Sequence, residues 1–198
     1  MRVAGFVALA AHANSLANPS ALAAHQISVS ILVLLSIAGE PLNAAGQTQL
    51  PRLYPGGAAA NPRAAAELVG TLVRAALCVG VGSSTLGAAA LLLGGKYMAA
   101  SPDVLAQLVS IVPPYIACLA LTATAVVLDG TLVARKDFAF LVPLQLAAFG
   151  ALVAGLAACR SLVPEIGLAA IWVSYLGYLL LRVVAFALRL KLVILKDA

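Results

Sequence analysis

Charged side chains are scarce in this chain of 198 residues: only 10% are Asp, Glu, Lys or Arg, whereas 63% are hydrophobic. Soluble globular domains carry about 25% charged residues, so the chain lacks the side chains that would cover a surface in contact with water. The same scarcity excludes an intrinsically disordered chain, because disorder depends on low hydrophobicity and high net charge. The composition therefore predicts a protein surrounded by lipid.

Residues that build metal and hydrolytic sites are also few. The chain has two histidines and three widely spaced cysteines, Cys78, Cys118 and Cys159, none of which forms a C-x-x-C pair. We expect these cysteines to be small, buried packing residues and expect no metal site. The glycine-rich stretch at 80–85 lacks the lysine of a phosphate-binding loop, and no nucleophile elbow or H-E-x-x-H motif occurs. These absences favour a protein that is not an enzyme and holds no cofactor.

Long uncharged segments predict membrane-spanning helices. Residues 75–95, 104–128 and 138–159 contain no charged side chain, and a helix needs about 20 apolar residues to cross a bilayer core of roughly 30 Å. A fourth span runs from 166 through 188 if Arg182 lies near a helix end and extends its guanidinium to the lipid headgroups. A fifth is the long helix predicted for residues 22–50. We therefore expect an all-α polytopic membrane bundle of about five transmembrane helices.

The first 20 residues precede this bundle and are open to three interpretations. Arg2 comes before an apolar run at 3–11, and Ala11, His12 and Ala13 have the small-x-small form of a signal-peptide cleavage site. The run is equally consistent with the last turns of a truncated membrane helix, which we favour, or with a frayed amphipathic N-terminus. Residues 1–20 are thus predicted to be the remnant of a preceding helix or a short leader, and residues 21–198 to form the membrane domain.

The distribution of Lys and Arg predicts the orientation of the bundle, because positive residues are enriched in the cytoplasmic loops of membrane proteins. With five spans and a cytoplasmic C-terminus, the loops and tail place seven basic residues inside and two outside. The inside group is Arg52, Arg63, Arg135, Lys136, Arg189, Lys191 and Lys196, and the outside pair is Lys96 and Arg160. The net charge of +5 therefore reflects topology and attraction to anionic lipid, and we expect no nucleic-acid partner.

A polar stripe follows one face of the first long helix. Its members His25, Ser36, Glu40, Asn43 and Gln47 are separated by 11, 4, 3 and 4 residues, which places them on one side at 3.6 residues per turn. A carboxylate within a membrane is costly unless it faces a protein interior or a watery cavity. Glu40, Asn43 and Gln47 are therefore candidates for the wall of a substrate or ion pathway. The alternative, a solvated Glu40 at the cytoplasmic interface, agrees equally well with the sequence.

Prolines inside two of the predicted helices are candidate hinges. Pro41 lacks a backbone N–H, so it should distort the helix near Ile37 and bias Glu40 away from helical geometry. Pro113 and Pro114 interrupt the span at 104–128 and should release the carbonyl groups of residues 109 and 110. Such a bend is either a gating hinge or a kink that neighbouring helices tolerate.

Asp129 ends the polar face of the same span, after Tyr115, Cys118 and Thr122 at helical spacing. Two roles are open for it: a proton site in the pathway, or a helix-end carboxylate paired with Arg135, which we favour.

Two further patterns indicate how the helices pack. Small residues at 80, 83, 84 and 87 have the small-x-x-x-small spacing that lets helix backbones approach closely in lipid. In the last span, Tyr175, Tyr178, Arg182 and Arg189 share a face, which predicts cation–π contacts or anchoring at the membrane interface.

Several short motifs, taken in order, resemble the multidrug and toxic compound extrusion (MATE) transporters, in particular their DinF-like branch. The sequence AAHQI at 23–27, followed by Glu40 and by AGQ at 45–47, is similar to the eighth helix of that family. VLDG at 127–130, with Asp137 seven residues beyond Gly130, resembles the loop after helix ten. GLAAIW at 167–172, followed by Arg182, is similar to the start of helix twelve. The chain departs from the pattern at Pro41 and at 54–61, which has the form of a loop insertion.

The resemblance implies a secondary antiporter that exports drugs, other organic cations, organic acids or phenolic compounds against a proton or sodium gradient. Glu40 would bind and release the proton, and the helix at Pro113 and Pro114 would bend during alternating access. The chain would supply helices eight to twelve and the end of helix seven, so its partners would be lipid, a small organic substrate, and an N-terminal lobe or second chain. The alternative is a non-transporting membrane scaffold or inactive paralogue. The sequence does not distinguish plasma, vacuolar and plastid membranes.

Overall fold

The computed structural model describes residues 2–15, 18–54, 56–162 and 167–197. Within these ranges the chain is almost entirely helical and contains no strand, which confirms the all-α prediction. The helices are α1 (Arg2–Asn14), α2 (Pro19–Ser36), α3 (Glu40–Leu53), α4 (Pro62–Leu92), α5 (Gly95–Met98), α6 (Pro102–Ala134), α7 (Phe138–Leu162) and α8 (Leu168–Asp197). A short 3-10 turn, Ile37–Gly39, joins α2 to α3, so these two helices form one interrupted helical segment.

Three of the helices begin with the same local signal, a polar N-cap residue followed by proline. The side chains of Asn18, Asn61 and Ser101 accept hydrogen bonds from backbone N–H groups in the first turns of α2, α4 and α6. The proline that follows each cap occupies the first helical position, where its missing N–H would have had no partner within the helix. The chain therefore starts these helices where the sequence supplies both parts of the signal.

Five helical segments are long and apolar enough to cross a membrane: Pro19–Leu53, Pro62–Leu92, Pro102–Ala134, Phe138–Cys159 and Leu168–Leu192. They correspond one for one to the predicted spans. Their outer faces carry large apolar side chains such as Leu34, Val81 and Leu188, each more than half exposed. A surface covered by large apolar side chains suits lipid, and the protein is a multi-pass membrane protein.

Cys78 also lies exposed on α4, so the prediction that all three cysteines are buried is wrong for this residue.

Helix α6 lies at the centre of the bundle, in contact with α2, α3, α4 and α8. Its closest neighbour is α4, where a Cβ atom at Gly80 would overlap the Ala120 carbonyl oxygen and a Cβ atom at Gly87 would overlap an α6 leucine. On the same face, Ser84 donates its hydroxyl to the Ile116 carbonyl at 2.9 Å. The close packing predicted from the small residues at 80–87 is therefore confirmed.

Helix α1 belongs to the same hydrophobic core, since it packs against α2, α7 and α8. Leu9 and Ala13 are buried, and the ring of Phe6 lies 5.9 Å from the ring of Tyr175, centroid to centroid. The N-terminal residues thus form one wall of the interior that α2, α6 and α8 enclose.

Two contacts bring the loops with most of the basic residues to one end of the bundle. The Arg135 guanidinium lies 5.2 Å from the centroid of the Tyr54 ring, which joins the α6–α7 connection to the α3–α4 connection. Arg189 of α8 donates to both carboxylate oxygens of Asp137, at 2.7 and 3.2 Å. We define this as the basic end, and its members are Arg52, Arg63, Arg135, Lys136, Arg189 and Lys191. The predicted grouping is confirmed for these residues, and the side of the membrane that they face stays a prediction.

Candidate functional site

The 3-10 turn between α2 and α3 positions Glu40 in the middle of the first spanning segment. The predicted distortion near Ile37 is confirmed, because the turn begins at that residue. The expectation that Pro41 moves Glu40 out of helical geometry is wrong: Glu40 has φ −65° and ψ −37°. The distortion of the helix is confined to the 3-10 turn, and Pro41 lies in the first turn of α3, where proline is favoured. Gly39 permits this course close to α6, since a Cβ atom there would lie 3.2 Å from the Ala123 Cα atom.

A ladder of side-chain hydrogen bonds leads along α3 from Glu40 toward the basic end. Asn43 donates its amide to a Glu40 carboxylate oxygen at 3.1 Å, and Gln47 donates to the Asn43 oxygen at 2.9 Å. These bonds follow from spacings of three and four residues on a helix. Gly130 of α6 makes room for the ladder, because a Cβ atom there would overlap the Asn43 Oδ1 atom. The structure thus brings together Glu40, Asn43 and Gln47, the three predicted pathway residues of this helix.

Glu40 lines a partly open cavity of about 260 Å³ between the helices. The walls come from α1, the end of α2, α3, α6 and α8, and the lining residues are Phe6, Ser36, Glu40, Thr122, Ala125, Val126, Tyr175, Leu179 and Arg182. Apolar and aromatic side chains predominate, and the polar groups are one carboxylate, one guanidinium and three hydroxyl groups, one of them on the Tyr175 ring. Largely apolar pockets with a few placed polar groups are typical of small-molecule sites.

Arg182 is the second charged residue of the cavity, and its position differs from the prediction. We expected its guanidinium to reach the lipid headgroups from a helix end, but α8 continues to Asp197 and Arg182 lies in the middle of the helix, 2% exposed. It donates to an Asp129 carboxylate oxygen at 3.5 Å and to the Tyr178 hydroxyl at 3.3 Å. The guanidinium also lies 5.2 and 5.4 Å from the ring centroids of Tyr178 and Phe186, which confirms the predicted cation–π contacts.

Asp129 connects three helices. Its carboxylate accepts from Arg182 of α8 and from the Gln145 amide of α7, the latter at 3.1 Å, and its side chain is 28% exposed. The pairing with Arg135 that we favoured is wrong, because positions six apart on a helix point to different sides and Arg135 lies against Tyr54. Sequence reasoning missed Gln145, although it is the only strongly polar residue in the uncharged segment 138–159, which itself signals a functional or pairing role.

The predicted hinge at Pro113 and Pro114 lies within an uninterrupted α6, on the half of the helix remote from Asp129. Pro113 is exposed, and neither proline lines the cavity. Nearby, the Ile116 carbonyl accepts the Ser84 hydroxyl of α4, so a neighbouring helix supplies a hydrogen bond in this region. The prolines and the cavity thus occupy separate parts of the bundle.

Buried aromatic rings extend from the cavity into the core. Trp172 packs edge to face against Tyr115 and Tyr175, with ring centroids 5.0 and 6.2 Å apart, and lies 5.9 Å from the ring of His25. The Tyr115 hydroxyl donates to the Ser28 carbonyl at 3.1 Å. His25 is 2% exposed, so the first member of the predicted stripe lies in the core and not in the cavity.

In the part of the chain that the structure describes, no three His, Cys, Asp or Glu side chains lie close enough together to hold a metal ion. The fold and the site define a class: a multi-pass α-helical membrane protein with a cavity lined by one carboxylate and one guanidinium group. No family model, curated protein or solved structure matches this chain.

Proposed function

We propose that this chain forms the cavity-bearing part of a secondary antiporter of the MATE family, which exports small organic compounds against a proton or sodium gradient. The observation that carries the proposal is the cavity lined by both Glu40 and Arg182 inside an apolar bundle. Ionisable residues in membrane spans are rare and typically mark the pathway of an ion or substrate.

Four residues of the motifs that resemble MATE transporters, Glu40, Asp129, Gly130 and Arg182, are connected by contacts among α3, α6 and α8, and this supports the proposal. Glu40 and Arg182 line one cavity, Asp129 pairs with Arg182, and Gly130 lies against Asn43. These residues come from three helices that are far apart in sequence. A protein that only spans the bilayer gains nothing from this arrangement, because each charged residue at a helix centre costs about 2.5–3.5 kcal/mol of insertion free energy.

In this proposal Glu40 exchanges the coupling ion. Arg182 has its own counter-charge in Asp129, so a change in the charge of Glu40 does not leave the guanidinium without a carboxylate. Asn43 donates a hydrogen bond to a Glu40 carboxylate oxygen and fixes the orientation of the carboxylate. Binding of a proton or sodium ion to Glu40 changes this contact, and the turn at Ile37–Gly39 and the prolines of α6 are the places where the helices bend between the two access states. The basic end faces the cytoplasm, and the chain catalyses no chemical reaction.

The test is proton-coupled transport in proteoliposomes. The purified chain is reconstituted with an acidic lumen, and proton efflux is followed by a pH-sensitive dye after addition of ethidium, as an organic cation, or benzoate, as an organic acid. The assay is repeated with a sodium gradient. We expect one probe to accelerate ion efflux and Glu40→Gln to reduce that acceleration at least about tenfold, as loss of an essential proton-transfer group does.

The matched control is Glu67→Gln, which removes a carboxylate from the exposed face of α4 and should leave efflux unchanged. Circular dichroism and size-exclusion profiles establish that both variants are folded. A folded chain that exchanges no ion for either probe would contradict the antiporter and favour the non-transporting scaffold. Equal losses in the Glu40 and Glu67 variants would remove Glu40 from the mechanism.

A further inference from the structure

A second concavity of about 510 Å³ lies on the outside of the bundle, where α4, α6 and α8 meet. We call it the α4–α8 groove. Its walls are formed mainly by branched apolar side chains, among them Val69, Val73, Leu128, Val183 and Leu190. Ala187 and Lys191 also line it and are exposed, so the groove opens to the surroundings of the protein. It shares no lining residue with the cavity of Glu40.

The groove begins at the basic end and runs into the apolar part of the bundle. Along α8 it extends from Lys191 to Val183, eight residues or about 12 Å at the rise of an α-helix. Lys191 follows Arg189, whose contact with Asp137 fixes this part of α8 at the level of the α6–α7 connection. The lysine therefore lies at headgroup depth, while Leu128 and Val183 lie at the depth of acyl chains.

The charge at the mouth of the groove has no counter-ion within the described ranges. Arg189 is paired with Asp137 and Arg182 with Asp129, but no described carboxylate pairs with Lys191. Lysines at such positions keep the ammonium in the headgroup layer and lay the aliphatic stem along apolar surface. An anion at the level of the headgroups is the complementary partner.

The shape of the walls distinguishes an acyl chain from another helix. Helices that associate in lipid approach through small residues, as α4 does where Gly80 and Gly87 face α6. Most of the side chains that line the α4–α8 groove are branched apolar ones, and its small residues are Ala187 and Thr124. A narrow, flexible chain can fill such a surface, whereas a helix backbone is held away from it.

We propose that the α4–α8 groove binds an anionic phospholipid, with one acyl chain between α4 and α8 and its phosphate on Lys191. The bound lipid covers an apolar surface where three spanning helices meet, so it stabilises their packing. This proposal stands independently of transport, since it uses neither Glu40 nor the cavity.

Native mass spectrometry of the purified chain, titrated with dioleoylphosphatidylglycerol or dioleoylphosphatidylcholine, tests the site. We expect tighter binding of phosphatidylglycerol, and we expect Lys191→Gln to weaken it about fivefold, the effect of one basic residue near an anionic surface. Lys191→Arg should retain the affinity. The matched control Lys96→Gln removes an exposed lysine at the opposite end of the bundle and should change nothing.

A second pair of variants tests the acyl chain. Ala187→Phe fills the groove and should abolish the most tightly bound lipid of either class, whereas Leu188→Phe, on the exposed face next to it, should not. Thermal unfolding followed by circular dichroism identifies variants that do not fold. Equal affinity for the two lipids, equal effects of Lys96→Gln and Lys191→Gln, or lipid binding that survives Ala187→Phe would each overturn the proposal. A dimer that Ala187→Phe dissociates would overturn it too and assign the groove to a second copy.

Discussion

Arg182 illustrates how one residue can carry a full charge in the interior of a membrane bundle. Its guanidinium has a carboxylate partner in Asp129, a hydroxyl partner in Tyr178 and two aromatic rings within about 5.5 Å. Breaking a buried ion pair is more costly than replacing both partners by apolar groups, because the remaining charge stays in a medium of low polarity. The effect of a substitution at Arg182 on stability therefore depends on whether the Asp129 carboxylate is left without its partner.

We predict that Arg182→Met lowers the free energy of unfolding by about 1–3 kcal/mol, less than a fully buried pair would lose because Asp129 is 28% exposed. Asp129→Asn combined with Arg182→Met should recover part of this loss, since no uncompensated charge then remains. The measurement is a double-mutant cycle on unfolding in mixed micelles. Arg74→Met, which removes an exposed arginine of α4, is the control and should be near neutral. Additive effects of the two single changes would show that Arg182 and Asp129 do not interact.

The sequence allowed the carboxylate of the cavity, Glu40, to be predicted, but not the position of its guanidinium, Arg182. Glu40, Asn43 and Gln47 are linked by local helical spacing, which can be read without knowing the fold. The partner of Asp129 cannot be found in this way, because Arg182 lies 53 residues away on another helix. Counting uncharged residues placed Arg182 at a helix end, since a charge within a span has no compensation until the neighbouring helices are known. Local patterns are therefore predictable, whereas charges that only tertiary contacts compensate are not.

At the scale of the elements, the contact between α4 and α6 holds the centre of the bundle. Hydrophobic burial contributes little to helix association in lipid, so close van der Waals contact and hydrogen bonds between helices must provide the attraction. Gly80 allows the close van der Waals contact, because it has no side chain where the α6 backbone approaches. Ser84 provides the hydrogen bond, since its hydroxyl donates to the Ile116 carbonyl. The spacing of small residues indicated this contact in advance. It did not identify α6 as the partner, because small-residue spacing shows which face is close-packed but not against which helix.

The two faces of α4 allow a matched test of this contact. Gly80→Ala should destabilise the bundle by about 1–3 kcal/mol, since its Cβ atom would overlap the Ala120 carbonyl oxygen and force the helices apart. Gly82→Ala, two residues further on, meets no atom within 4 Å and should be neutral or stabilising by up to about 1 kcal/mol, because alanine is the better helix former. Unfolding midpoints of the two variants in the same detergent give the comparison. Similar destabilisation by both would contradict the packing described for α4.

At the scale of the whole molecule, contacts at the basic end order the five spans. The Tyr54–Arg135 and Asp137–Arg189 contacts require the α3–α4 connection, the α6–α7 connection and the end of α8 to share one side of the membrane. The short helix α5, with Lys96, then lies on the other side. The number of spans and the pairing of loops were predictable, because each follows from counting uncharged residues. The orientation depends on the biosynthetic preference for positive residues in the cytoplasm, which the folded chain does not record.

Cysteine accessibility separates the fold from its orientation. In a variant with all three native cysteines replaced by alanine, single cysteines are introduced as Gly56→Cys, Lys136→Cys and Tyr97→Cys, each at an exposed position. If the basic end faces the cytoplasm, as we propose, a membrane-impermeant maleimide should label Tyr97→Cys in intact cells and the other two only after permeabilisation. Labelling of all three with the sides exchanged would reverse the orientation and leave the fold intact. Labelling of Gly56→Cys and Lys136→Cys from opposite sides would contradict the fold itself, since the Tyr54–Arg135 contact cannot form across a bilayer.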